Sequence, residues 1–160
     1  MLIGIIANIT KENVFKVVSS FISKLKKNKL DYILTKSLCE DKGKLKIELF
    51  DDFVTDDKEV YEKADLIISI GGDGTMLATA FNAQFYNKPV LGVNLGKLGF
   101  LVEANIDQMD KIIKELKEGK YSVEERMVIS GEAIGHETEK LFAINDIVID
   151  KGGWPKMIEL

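Results

Sequence analysis

The stretch DLIISIGGDGTMLATAF, residues 65–81, constrains the fold more than any other part of the sequence. It opens with DLIISI (65–70), a short apolar run of the kind that a parallel strand buried on both faces requires. Glycines follow at 71, 72 and 74, and apolar residues then recur at 76, 77, 80, 81 and 85, at helical rather than alternating spacing. A strand that passes through glycines into a helix is half of a βαβ unit, so a parallel sheet is the expected core. The alternative is a β-hairpin, because Asp-Gly favours tight type I′ turns. The helical spacing after residue 75 argues against it.

The rest of the first hundred residues repeats the alternation. LIGIIA (2–7) predicts a buried strand, and Val14, Val17, Val18, Phe21, Ile22 and Leu25 predict a helix running to residue 28, with Thr10 as its cap. DYILT (31–35) and PVLGVN (89–94) predict further strands. Residues 38–60 are ambiguous: KLKIELF (44–50) alternates like a strand, whereas TDDKEVYEKA (55–64) is helical with Thr55 as cap. The texture changes near residue 96, where GKLGFLVEAN leads into one amphipathic helix, IDQMDKIIKELKEG (106–119). Beyond it, YSVEERMVISGEAIG, KLFAINDIVID and KMIEL read as successive strands. The expected organisation is an α/β domain over 1–100, then a linker helix and the start of a β-rich domain over 101–160. The chain stops at Leu160 inside an apolar strand-like run, and domains avoid leaving such an edge unpaired. A fragment, or the ordered part, of a longer protein is therefore expected.

Charge and composition exclude several classes. A net charge of −4 supplies no basic excess to neutralise a phosphate backbone, so nucleic acid is not an expected partner. The cluster Lys24, Lys26, Lys27 and Lys29 lies at a predicted helix end, where cations favour the dipole, and reads as a solvated face. Cys39 is the only cysteine, which rules out an intrachain disulfide and a thiolate metal cage. His136 is the only histidine and lies in the polar GHETEK, an expected exposed turn. The apolar start is too short for a signal segment and lacks a basic flank, and nothing approaches a membrane span. A reduced, cytoplasmic protein without membrane contact is expected.

GGDGT (71–75) follows a buried strand, and so belongs at the carboxyl end of the sheet, where α/β proteins bind ligands. Gly71, Gly72 and Gly74 allow backbone angles closed to other residues and close approach of main-chain N–H groups, and Thr75 is placed to cap the next helix. The combination suggests a phosphate loop. A Walker A loop is excluded because no lysine is present, and a dinucleotide fingerprint because position 77 is Leu77. Asp73 is out of place in a loop that merely holds phosphate, since two like charges about 4 Å apart cost roughly 4 kcal/mol at an effective dielectric near 20. A carboxylate there makes sense if it orients an alcohol that attacks the phosphate, or if it holds a divalent cation. An ordinary carboxylate is too weak a base to deprotonate an alcohol in advance, so its role is orientation with late proton uptake.

These residues, with two further stretches in the same order, resemble a known family. GGDGT alone is shared with diacylglycerol and sphingosine kinases and nearly with phosphofructokinases. GVNLGKLGFL (92–101) and AINDIVID (143–150) add specificity, and over residues 2–160 the chain is similar to the amino-terminal part of the ATP-NAD kinases. The resemblance implies a parallel Rossmann-like α/β domain followed by the beginning of a β-rich one, with the site in the crevice between them. It implies an enzyme, NAD kinase, that transfers a phosphoryl group from ATP or polyphosphate to the 2′-hydroxyl of the adenosine ribose of NAD, giving NADP. Mg²⁺ or another divalent metal assists, and the family is commonly a homo-oligomer, dimer or tetramer.

Carried across residue by residue, the resemblance makes Asp73 the proton acceptor and places Gly74 on the NAD ribose. Phe100 falls beside the nicotinamide or ribose, or is simply interdomain core. Asn145 and Asp146 fall on the adenosine half, or mark a polar turn before a strand. Lys156 contacts substrate from a neighbouring subunit, or is ordinary surface. Asn8 and Lys11 match a weaker motif near the phosphate donor. Asn94 and Lys97 belong to the second motif or merely cap and solvate the 92–101 loop, the latter being the reading for Lys97. The family continues with a Thr- and Ser-rich segment that completes the nucleotide pocket and is not in these 160 residues, so the chain alone is not expected to turn over. The rival readings are a diacylglycerol-type lipid kinase, which the acidic balance opposes, and a non-catalytic dinucleotide-sensing module, to which Asp73 brings no advantage.

Overall fold

Short apolar strands and amphipathic helices alternate from the first residues of the chain. The computed structural model describes residues 1–40, 45, 54–96, 99, 101–102, 104–135 and 140–149. The chain forms two compact units, Met1–Val123 and Glu124–Leu160.

In the first unit the strands are β1 (Leu2–Ala7), β2 (Asp31–Thr35), β3 (Val54–Thr55), β4 (Leu66–Gly71), β5 (Val90–Asn94) and β6 (Ala104–Asn105). They form one six-stranded sheet in the order β3-β2-β1-β4-β5-β6. Every pairing is parallel, with Ile3 beside Tyr32 on one flank and beside Leu66 on the other. This is the order of a doubly wound sheet, in which the chain leaves β1 toward one edge and returns to continue from β4 toward the other. The helices are α1 (Val14–Lys27), α2 (Lys36–Cys39), α3 (Asp57–Lys63), α4 (Asp73–Ala83) and α5 (Met109–Glu118).

Alternation along the buried strands divides the core into two layers. Ile3, Ile5, Leu34, Leu66, Ile68 and Ile70 face the layer that holds Val18, Phe21, Ile22 and Leu25 of α1 and Ile112, Ile113 and Leu116 of α5. Ile33 and Ile67 point the other way, toward Val60, Tyr61 and Ala64 around α3 and Ala83 of α4. Burying each such side chain contributes about 1.5–3 kcal/mol, and both faces must be covered for a parallel sheet to exist.

The helix starts differ from the sequence-based expectation. Thr10 does not cap α1: its N–H and hydroxyl both bond to Asn8 Oδ1, at 3.0 and 2.7 Å, and the cap position falls to Asn13 at φ 61°. Thr55 lies in β3, and Asp56 caps α3, its Oδ1 accepting the Glu59 N–H at 2.8 Å. Thr75 does not cap α4 either, because the helix begins two residues earlier, at Asp73, with Gly72 as cap. Lys24 is not simply solvated: its Nζ pairs with Asp110 of α5 across the two packed helices. The strand β6 was absent from the sequence-based expectation, since two residues carry no periodicity.

The second unit holds β7 (Ile129–Gly131) and β8 (Leu141–Ala143), an antiparallel pair in which Ser130 faces Phe142. AINDIVID is not a continuous strand. Ala143 ends β8, Ile144 and Asn145 form a bend, and 146–149 take no regular structure. Among the described residues no third strand lies beside them to pair their backbone groups. The expected strand KMIEL, most of KLKIELF, and the residues Lys97 and His136 lie outside the described residues. Among the described residues no helix is long and apolar enough to cross a membrane.

Candidate functional site

The strand order places the site. In a doubly wound sheet the crevice opens at the carboxyl ends of the two strands where the winding reverses, here β1 and β4. The two ends are tied together by the Asn8 N–H, which donates to the Ile70 carbonyl at 3.0 Å. β5 is tied to the same place by the Leu95 N–H, which donates to the Gly71 carbonyl at 2.9 Å. Asn8, GGDGT and the start of the 92–101 stretch thus converge at one end of the sheet.

Gly71 is the last residue of β4, Gly72 the cap of α4, and Asp73 its first helical residue. Neither Gly71, Gly72 nor Gly74 has a positive φ, so the glycines are not needed for unusual backbone angles as the sequence suggested. Space is the reason at Gly71, where a side-chain carbon would sit 2.6 Å from Thr75 Cβ. Positions 72 and 74 differ. No atom lies within 4 Å of where a side chain would begin, leaving the helix start open to a ligand. The N–H groups of a first helical turn have no carbonyl partner within their own helix, and the dipole favours negative charge there.

α4 is held at this height by a buried polar contact. Thr79 Oγ1 donates to the Thr75 carbonyl at 2.8 Å and lies 2.9 Å from Ser69 Oγ of β4. With the Thr79 proton committed to Thr75, the Ser69 hydroxyl is the donor in the second bond.

Asp73 is half-buried, and Leu101 donates its main-chain N–H to Oδ1 at 3.1 Å. A side chain on Gly99 would overlap the same carboxylate. The second sequence stretch therefore folds back onto the first, with Gly99 against Asp73. The sequence placed both stretches in one family pattern without revealing this contact; the signal was the glycine at 99 itself. Asn94 is buried and its Oδ1 accepts the Gly96 N–H at 2.8 Å, so it caps the turn that follows β5. In the second unit Asn145 Nδ2 donates to Asp146 Oδ1 at 2.6 Å, with both residues exposed. Phe100 and Lys156 lie outside the described residues. Among the described residues no group of three or more His, Cys, Asp or Glu side chains is arranged to hold a metal ion.

Residues 3–121 match the family model of the ATP-NAD kinase N-terminal domain. The chain belongs to this family. It is 30% identical over 160 residues to the NAD kinase of Thermoanaerobacter sp. (strain X514), covering 99% of this chain and 54% of that protein. It is 35% identical over 158 residues to the NAD kinase of Clostridium perfringens (strain 13 / Type A), covering 98% and 52%. The chain thus spans about half the length of these curated relatives. Among solved structures it resembles yeast NADH kinase complexed with NADH, with a TM-score of 0.74 over 91% of this chain and 47% of that one. At 19% identity this last likeness concerns the fold, and it agrees with the parallel α/β sheet seen here. Within the ATP-NAD kinase family match lie both GGDGT and GVNLGKLGFL; AINDIVID falls beyond it and is spanned by the alignments to these two relatives.

Proposed function

We propose that the protein acts as an NAD kinase, transferring a phosphoryl group from ATP or polyphosphate to the 2′-hydroxyl of the adenosine ribose of NAD to give NADP. The observation that carries this reading is the position of Asp73. A carboxylate stands at the first residue of a helix whose amino end is otherwise suited to phosphate, at the switch point of the sheet. A module that only bound phosphate would gain nothing from it.

In the step we propose, the ribose 2′-oxygen forms a bond to the γ-phosphorus as the bond from that phosphorus to the bridging oxygen breaks. ADP departs (or a chain shortened by one phosphate), and Asp73 accepts the hydroxyl proton late in the transfer before passing it to water. Phosphoryl transfer depends mainly on positioning and charge stabilisation, and the open space over Gly72 and Gly74 lets main-chain groups approach the substrate. Gly74 serves the ribose, with Gly71 and Thr75 shaping the helix start. Asn145 and Asp146, an amide beside a carboxylate, offer a donor and an acceptor to an adenine edge and a ribose hydroxyl. Phe100 and Lys156 serve the nicotinamide side and a neighbouring subunit of a homo-oligomer. Mg²⁺, when bound with the donor phosphates, would offset their charge.

The test is direct. The purified protein, in the longest form in which it is made, is given NAD or NADH with Mg-ATP or polyphosphate, and formation of the 2′-phosphorylated dinucleotide is followed. Asp73→Asn should lower turnover by about 10²–10⁴-fold, the usual contribution of a positioned proton acceptor, with NAD binding retained. Binding without turnover in the unsubstituted protein would favour a dinucleotide-sensing module, and phosphorylation of diacylglycerol instead would favour a lipid kinase.

A further inference from the structure

We propose that Gly99 and the main-chain N–H of Leu101 are positioning elements for Asp73, an inference that rests on the kinase reading above. Asp73 occupies a first helical turn, where an aspartate side chain readily swings back to bond its own helix's N–H groups. Here Leu101 N–H bonds Oδ1 at 3.1 Å from 28 residues away, and Gly99 presses on the same carboxylate where no side chain would fit. The bond gives the carboxylate its direction and the glycine contact limits its rotamers.

The segment that does this is itself anchored on both sides. Before it, Leu95 N–H is bonded to Gly71 and Gly96 N–H to Asn94. After it, Val102 packs over Gly92 beside Met76 of α4; a side chain at Gly92 would lie 3.1 Å from Val102 Cγ1 and 3.2 Å from Met76 Sδ. The residues on either side of Gly99 and Leu101 are therefore fixed to β4, β5 and α4. A carboxylate that must accept a proton late in a transfer loses rate when misplaced by an ångström, on the order of 10²-fold.

Gly99→Ala tests this, because the group that must yield is the short Asp73 side chain rather than backbone. Measured on the full protein well below its Tm, kcat for NAD phosphorylation should fall by about 10–100-fold, while KM for NAD changes little. Thermal melts supply a readout independent of activity. Gly99→Ala should lower Tm by about 2–4 °C in the unsubstituted background and not at all in Asp73→Ala, where the collision is gone. If Gly99→Ala fails to fold, Asp73→Ala should restore folding. An unchanged kcat, an equal Tm loss in both backgrounds, or no rescue would overturn the inference. If the unsubstituted protein forms no NADP, the kinase reading fails instead, and the melts still decide whether Gly99 sets the place of Asp73.

Discussion

Ser69 Oγ and Thr79 Oγ1 lie 2.9 Å apart in the core, joining β4 to the helix that follows it. Because Thr79 also donates to Thr75 one turn earlier, the pair links the strand, the helix and GGDGT. Thr79→Val keeps the shape and removes both bonds, leaving the Ser69 hydroxyl buried. It should destabilise the fold by about 1–3 kcal/mol in urea unfolding, and the double variant with Ser69→Ala should recover part of that loss. Full additivity of the two single changes would contradict the coupling.

Gly4 of β1 lies directly under α3. A side-chain carbon there would be 2.7 Å from Val60 Cγ1 and 3.0 Å from Ala64 Cβ. Gly4→Ala should therefore cost about 1–3 kcal/mol by overpacking, although alanine is a smaller change than most core substitutions. Stability unchanged within error would show that α3 can shift on the sheet.

Asp56 accepts the Glu59 N–H at the start of α3. Asp56→Ala should cost about 1 kcal/mol and Asp56→Ser much less, measured by thermal or urea unfolding. Equal losses for the two replacements would show that the charge, not the cap, matters.

Tyr61 stacks against Tyr86 with ring centroids 5.8 Å apart, and burial pushes its phenol up to about 12. Neighbouring Asp57 adds to the shift, while the Asn82 side-chain amide opposes it. The folded state thus holds the proton more tightly than the unfolded chain does. The stability tied to this is complete below pH 10 and is lost as pH rises from about 10 to about 12, up to roughly 3 kcal/mol. Tyr61→Phe should flatten that part of the alkaline slope. A residual slope is expected from Tyr32, whose phenol burial also raises.

Much of the first unit was legible in local pattern. LIGIIA, DYILT, DLIISI and PVLGVN became β1, β2, β4 and β5, because strands buried on both faces need continuous apolar runs. Helix interiors were equally legible, from Val14 to Leu25 and from Ile112 to Leu116. Helix starts were less so. Thr10, Thr55 and Thr75 all have capping chemistry, but competing geometry decided: Asn8 takes both Thr10 donors, Asp56 supplies the cap of α3, and α4 begins at Asp73. Capping depends on where the chain turns, and composition states only which residues are able to do it.

What residue order alone determined is most of the elements: continuous apolar runs name strands, helical spacing names helices, and GGDGT puts a carboxylate between glycines where a strand gives way to a helix. The tertiary structure decided which strand ends meet, and hence that the carboxyl ends of β1 and β4 lie side by side where the winding reverses. It also decided that Gly99 and Leu101 lie against Asp73. Local periodicity extends over a few residues, whereas the bond that aims Asp73 spans 28, and only packing the intervening β5 against β4 brings its two ends together.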